Sequence, residues 1–236
     1  MIVLAIETAT IEVGAALVSA EGLVAESRTP CRRRHAETLH GAIASVLAAA
    51  GLGAGDLDAV AVDVGPGLFT GLRVGIAAAK AFGFALGVPL VAVRSTEVLC
   101  RGARSDPAAQ DRAVVPVVDV RRGELAWEFP DGFLSLGAPA TLRARLADLG
   151  GPVLLVGDGA WKVAADAGEE DLGLAVSFGG DTLAAPSVAV LGGIGAERFA
   201  AGATTDAVAI TACYLRAADA RANYATRSFP AAGERD

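Results

Sequence analysis

Residues 65–75, Gly65-Pro66-Gly67-Leu68-Phe69-Thr70-Gly71-Leu72-Arg73-Val74-Gly75, constrain this chain more than any other stretch. They follow AVAVDV at 59–64, a strand by composition, and lead into a small-residue helix expected from about Gly71 to Leu86. Pro66 presets one φ, the flanking glycines permit turns closed to other residues, and Thr70 is placed as the helix N-cap. Gly71, Gly75, Ala78 and Ala79 leave one helix face nearly bare, so that another backbone can approach closely with no ligand involved.

The flanking segments extend the pattern. Residues 2–6 (IVLAI) read as a buried strand, and 13–18 and 23–28 as a hairpin around Glu21-Gly22. Over 35–50 the period changes: Leu39, Ile43, Val46, Leu47 and Ala50 form one helical stripe, which Gly51 and Gly53 stop. Gly87-Val88-Pro89 ends the helix after the glycine loop, and LVAV at 90–93 is the next strand. The first half therefore reads β-β-β-α-β-α-β, an α/β pattern. A chain of 236 residues suits one large α/β domain or two small lobes. The polar, turn-rich run 101–112 (RGARSDPAAQDR) divides it into expected units of 1–105 and 106–236.

In the second unit, 114–120 reads as a strand that Pro116 assigns to an edge or a bulge, with 124–129 as its hairpin partner across Arg121-Arg122-Gly123. A short helix is expected at 141–149, a strand at 153–156 and a helix at 187–199 broken by Gly192-Gly193. Residues 211–216 are expected to be ordered and 230–236 to fray.

Composition excludes several classes. Subtracting 27 acidic from 20 basic residues leaves a net charge of −7, which offers no broad attraction to nucleic acid or anionic lipid. The cysteines, Cys31, Cys100 and Cys213, are odd in number and far apart, so neither a disulfide framework nor a CxxC knuckle is available. No run reaches the ~18 uninterrupted apolar residues of a membrane helix, and no basic n-region opens the chain. A cytoplasmic protein is the expectation.

Several stretches could carry chemistry. Glu7-Thr8-Ala9-Thr10 follows the first strand, where an acid and hydroxyls could meet a nucleotide phosphate or its Mg²⁺; a plain turn with Thr10 as local cap explains them equally. Gly65, Gly67 and Thr70 belong to a loop that could offer backbone N–H groups to an anion, although it lacks a GK[ST] ending and does not fit G-x-G-x-x-G. Arg73, in the first helical turn, opposes the helix dipole and could answer a carboxylate or phosphate, or simply be solvated. His35 and His40 are five apart and share no face, no HExxH exists, and no metal site is expected. On the same helix Gly41, Ala44 and Ala48 form a second, small-residue ridge, fit for a partner helix or reflecting only alanine-rich composition. Arg32-Arg33-Arg34 could touch RNA or form a solvated loop, and Asp119 with Arg121 and Arg122 reads as a polar site or an ordinary turn. Glu169-Glu170-Asp171 looks like a surface charge run. No G-x-S-x-G and no cysteine–histidine pair evident from sequence support covalent catalysis.

Together, Glu7-Thr8-Ala9-Thr10, His35-Ala36-Glu37-Thr38-Leu39, Gly65 to Gly75, Asp119 with Arg121-Arg122-Gly123-Glu124, Gly157-Asp158-Gly159 and Tyr214-Leu215-Arg216 resemble the bacterial TsaB (YeaZ) family, almost throughout the first half and more thinly after about Pro130. The resemblance implies a two-lobed actin-like, Hsp70 and sugar-kinase (ASKHA) fold. It also implies a noncatalytic subunit required to make threonylcarbamoyladenosine beside the anticodon of tRNAs that read ANN codons. The implied partners are a TsaD-like catalytic paralogue and a TsaE-like ATPase, with homodimers in their absence, tRNA contacted through the complex and no membrane. No cofactor of its own is implied; threonylcarbamoyl-adenylate, ATP and a divalent metal belong to partner subunits. Where a TsaD-like subunit carries HxxxH, His35 here is followed four residues later by Leu39. Glu7 and Ala9 stand where the kinase-like D-x-G-T pattern has aspartate and glycine, which makes Glu7, Thr8, Thr10, Gly65, Gly67, Thr70 and Arg73 vestigial nucleotide-binding positions. The implied partner face comprises His35, Leu39, His40, Gly41, Ala44, Ala48, Gly71, Gly75, Ala78 and Ala79. Rival readings are a nucleotide-dependent phosphotransferase using Glu7, Thr10, Gly67 and Arg73, and a tRNA-binding module using Arg32–Arg34 and Arg73.

Overall fold

A computed structural model describes residues 1–31, 34–167 and 176–215. Strands β1 (Ile2–Glu7), β2 (Glu12–Ser19), β3 (Gly22–Pro30), β4 (Ala59–Asp63) and β5 (Leu90–Val93) form one sheet in the order β3-β2-β1-β4-β5. The first three strands pair antiparallel, and β1, β4 and β5 run parallel. Consecutive strand residues point to opposite faces, and both faces of β1 are covered, which is why Ile2 to Ile6 are all apolar. Leu4 and Ile6 pack with Leu39, Ile43 and Val46 of α1 (His35–Ala50) and Ile76 of α2 (Phe69–Leu86). Val3 and Ala5 pack with Val188, Leu191 and Ile194 of a helix from far along the chain, Val188–Ala200. Each fully buried leucine or isoleucine contributes about 1.5–3 kcal/mol relative to exposure, so covering both faces is what holds the sheet.

That distant helix is continuous, contrary to the expected break at Gly192-Gly193. Gly192 and Gly195 let it press flat on the sheet: a Cβ on either would overlap Val18 or Ala61. Arg198 ties it to α3 (Ser95–Ala103) through two bonds to the Glu97 carboxylate, 2.7 and 2.8 Å, and to β5 through one to the Ala92 carbonyl, 2.7 Å. Beyond it, Thr205 exchanges two backbone bonds with Leu90, Ile210 is buried, and Cys213 N donates to Val64 O at 2.6 Å. The described part of the expected ordered segment, 211–215, thus lies against the first sheet; Arg216 and 230–236 lie outside the described residues.

A second sheet contains β6 (Ala113–Asp119), β7 (Leu125–Glu128), β8 (Leu134–Gly137), β9 (Val153–Val156) and β10 (Val176–Phe178), in the order β10-β9-β6-β7-β8. Helices α4 (Pro139–Leu146) and α5 (Ala160–Ala167) supply Leu142, Leu146 and Val163 to its core; α6 is the Val188–Ala200 helix. Pro116 lies in the central strand rather than at an edge. Pairing with β9 ends at Pro116 and pairing with β7 begins at Val117, so the missing N–H falls where no ladder to β7 needs it. Segments α5, β8 and β10 were not expected; β8 and β10 are interrupted by Ser135 and Ser177 and so lack the unbroken apolar run that marks the equally short β5 and β9. Helix α3 sits between the sheets, with Val98 in the first core and Leu99 against Val118 and Leu154 of the second. At its start, Arg94 and Thr96 both donate to Glu128 on β7, at 3.0 and 2.5 Å.

Among the described residues one helix, α2, is long and apolar enough to cross a membrane. Here it lies on β1 and β4, with Ile76 and Ala79 in the core.

Candidate functional site

The end of β1 is closely filled. Glu7 Oε1 accepts from Ala9 N at 2.7 Å, and Asp63, at the end of β4, accepts on Oδ1 from Gly65 N (2.6 Å) and Ser95 Oγ (2.7 Å). Burial, then the neighbouring Asp63 charge, holds the Glu7 carboxyl well above its usual range; burial also raises Asp63, against the donors it has gathered. Leu68 N donates to Ala9 O at 2.7 Å, and the His35 Nε2–H donates to Thr10 O at 3.0 Å. Cβ atoms on Gly67, Gly71 and Gly75 would overlap Ala9 O, Thr8 O and Thr8 Oγ1. The glycines of the 65–75 run therefore seat α2 on the chain's own 8–10 segment. Thr70 is not the N-cap: α2 starts at Phe69 after Leu68, and no side chain caps it.

A surface groove of about 520 Å³ runs between α1 and α2, lined by Leu39, Ile43, Leu47, Val74, Ala78 and Phe82. His40 and Ala44 border it and are exposed, as are Gly41 and Ala48 on the same helix. Four of the expected partner-face residues point the other way. His35, Gly71, Gly75 and Ala79 are buried against the molecule's own first sheet and its 8–10 segment. The physical reason is the helical period: His35 lies one turn before Leu39, which is 2% exposed, and Gly71, Gly75 and Ala79 recur every fourth residue along the inward stripe of α2. Val74, Ala77, Ala81 and Phe82 line the groove and were missed, although their spacing marks a second apolar stripe.

Arg73 has a local explanation. Its guanidinium carbon lies 3.7 Å from the Phe69 ring centroid, and its Nε–H donates to Tyr214 Oη at 3.1 Å. At the β6–β7 turn, Asp119 accepts from Arg121 N (2.9 Å), Arg121 Nη1 (3.0 Å) and Lys162 Nζ (2.8 Å), while its own N–H donates to Asp158 Oδ1 at 2.8 Å. Burial pushes Asp158 up to about 6. A raised folded-state value means that this group's contribution to stability falls as pH rises from 3.8 to about 6. Asp158→Asn keeps the acceptor for Asp119 N, so it should raise the unfolding midpoint relative to the parent at neutral pH and bring little gain near pH ~4, read by denaturant titration at both.

Against the expectation of no cysteine–histidine pair, Cys31 Sγ lies 4.0 Å from His35 Nδ1, four residues along the chain, and accepts from Arg34 N and Thr38 Oγ1. Among the described residues no group of three or more His, Cys, Asp or Glu could hold a metal ion. Arg32, Arg33, Glu169, Glu170 and Asp171 lie outside the described residues.

Residues 25–137 match the family model described as TsaD: tRNA N6-adenosine threonylcarbamoyltransferase. Over 166 residues, 66% of this chain and 71% of the relative, it is 30% identical to the tRNA threonylcarbamoyladenosine biosynthesis protein TsaB of Bacillus subtilis (strain 168). The chain belongs to the TsaB family. Identity to the protein of the same name from Escherichia coli (strain K12) is 29% over 230 residues, covering 92% of this chain and 95% of that one. The fold is shared with YeaZ from Pseudomonas aeruginosa, at a TM-score of 0.71 and 21% identity over 91% of this chain and 99% of that chain. In this TsaB-family chain the two helices of the 35–86 region, which fall inside the TsaD-model match, are the ones that border the groove.

Proposed function

We propose that this chain is a noncatalytic subunit that binds and activates a TsaD-like catalytic paralogue for threonylcarbamoylation of the adenosine beside the anticodon in tRNAs reading ANN codons. One observation carries the reading: the groove between α1 and α2 is apolar, open and flanked by small residues, so a partner helix can approach closely. Its docking face is His40, Gly41, Ala44, Ala48 and Ala78 with Val74 and Phe82, over a floor that includes the buried Leu39, and the same face can pair two copies of this chain when the partner is absent. The assembly is a cytoplasmic one, with a TsaE-like ATPase and with tRNA engaged through the complex. Threonylcarbamoyl-adenylate, ATP and a divalent metal are held by the partners. The chain itself forms two ASKHA-type lobes, 1–105 and 106–236, joined through α3, with α6 returning to the first sheet. Its first phosphate-loop positions are relics, because Ala9 and Thr8 fill the space the glycines leave open.

Sedimentation of the chain, alone and mixed with the TsaD-like protein of the same organism, followed by the modification assay with all components, tests this. The expected result is a stable mixed complex whose activity needs this subunit. A chain that ignores that partner yet hydrolyses ATP alone would overturn the proposal.

A further inference from the structure

Glu7 closes β1 and Asp63 closes β4, and the parallel register that sets Ile6 beside Val62 brings the two carboxyls to neighbouring strand ends. Both side chains are buried, 2% and 0% exposed. Their donors are gathered on one oxygen each: Ala9 N on Glu7 Oε1, and Gly65 N with Ser95 Oγ on Asp63 Oδ1. The remaining oxygens, Glu7 Oε2 and Asp63 Oδ2, are buried and receive no N–H or O–H donor, at the adjoining ends of two hydrogen-bonded strands. Two ionised carboxylates are acceptors only and would leave both oxygens buried, charged and unpaired. A single proton converts the contact into an O–H···O⁻ bond that satisfies both.

We infer that Glu7 and Asp63 hold one proton between them at neutral pH, and that this proton fastens the floor on which α1 and α2 are seated. Asp63, with two donors of its own, keeps the charge; Glu7, with one, carries the proton. The other groups facing the pair add no positive charge to replace it. Glu12 comes from β2 and is acidic, Ser95 of α3 is neutral, and Cys213 of the C-terminal segment is a thiol that burial holds protonated. His35 of α1 spends its Nε2–H on Thr10 O, Arg73 and Lys80 of α2 are turned to Tyr214 and the Val208 carbonyl, and Arg94 is paired with Glu128. The floor follows from the contacts. Glu7 fixes Ala9 N, Ala9 O takes Leu68 N, Thr8 lies under Gly71 and Gly75, and Thr10 O holds His35, so a shift at Glu7 moves the seat of both helices.

The sign of the pH dependence is fixed by the raised Glu7 value. The folded chain keeps a proton that the unfolded chain releases above 4.5, so stability falls as pH rises from there toward the folded-state value. One linked proton changes the folding equilibrium by about tenfold per pH unit in that window. Glu7→Gln replaces the O–H by an N–H at the same place and needs no proton. Asp63→Asn does the same from the other side.

Infrared spectroscopy of the full chain at about pH 8, well above the value of about 6 at which Asp158 ionises, tests the inference. A protonated-carboxyl band is expected in the parent, vanishing at higher pH and missing from Glu7→Gln and from Asp63→Asn. Denaturant titration should show the parent losing up to tenfold more of its folding equilibrium per pH unit than Glu7→Gln. Absence of that band in the parent, or equal slopes for parent and Glu7→Gln, would overturn the inference. Should both variants fail to fold, the pH titration of the parent band decides alone.

Discussion

Ala44→Trp is expected to weaken pairing with the TsaD-like subunit by roughly 5- to 150-fold while leaving the isolated chain folded. Ala44 is exposed on α1 and lines the open groove, so an indole there stays outside the chain's own core and costs it little. A partner helix that has to lie close to a small-residue ridge meets the indole directly, and overpacking of that kind costs about 1–3 kcal/mol. Titration calorimetry of the variant against the TsaD-like protein, beside its thermal unfolding, separates the two effects. Unchanged affinity would remove the groove from the interface.

Alanine at two glycines of this pair of helices should act with opposite signs. Gly41 faces open space, so Gly41→Ala gains helix propensity and should stabilise the isolated chain by up to about 1 kcal/mol. Gly71→Ala gains the same propensity, but its Cβ would overlap the Thr8 carbonyl oxygen, a backbone atom that cannot rotate away. The overlap should win, because the loop at Thr8 is held on both sides, by Glu7 through Ala9 N and by His35 through Thr10 O. A net loss of about 1–3 kcal/mol is expected, read as a lower denaturant midpoint at unchanged slope. Equal behaviour of the two variants would mean that the close seat of α2 on β1 is not what holds this region.

Those substitutions also show where sequence reasoning reached and where it stopped. Small residues on α1 and α2 were legible as tight-packing surfaces, because a missing or minimal side chain has one mechanical meaning. Which surface lay inside was not. Gly71 and Gly75 came out as parts of a partner face and lie against Thr8, whereas Val74 and Phe82, which border the groove, carried no distinguishing signature. Arg73 in the first turn of α2 was legible as an unusual placement. Part of its answer, the Phe69 ring one turn earlier, lies within local reach; the other part, the Tyr214 hydroxyl, is 141 positions away and beyond any local pattern.

The sequence by itself determined the order of the first seven elements, from the strand at 2–6 to the strand at 90–93, and the small-residue helix after a glycine loop. Each of these rests on local physics: an apolar run, a change of period, a glycine or proline that ends a helix. It also carried the family, through the dense match across 65–75. The tertiary structure alone decided what each glycine is for. Gly192 and Gly195 continue a helix rather than break it, because Val18 and Ala61 stand where their side chains would be. It alone placed Pro116 in the part of a central strand that has no ladder to β7, where its missing N–H is harmless. It alone set Glu7 beside Asp63, since parallel pairing of β1 with β4 joins residues that the chain keeps a hairpin and a helix apart. Local preference is encoded residue by residue, but burial, and with it the cost of a charge or a methyl group, exists only once distant segments have closed around a site.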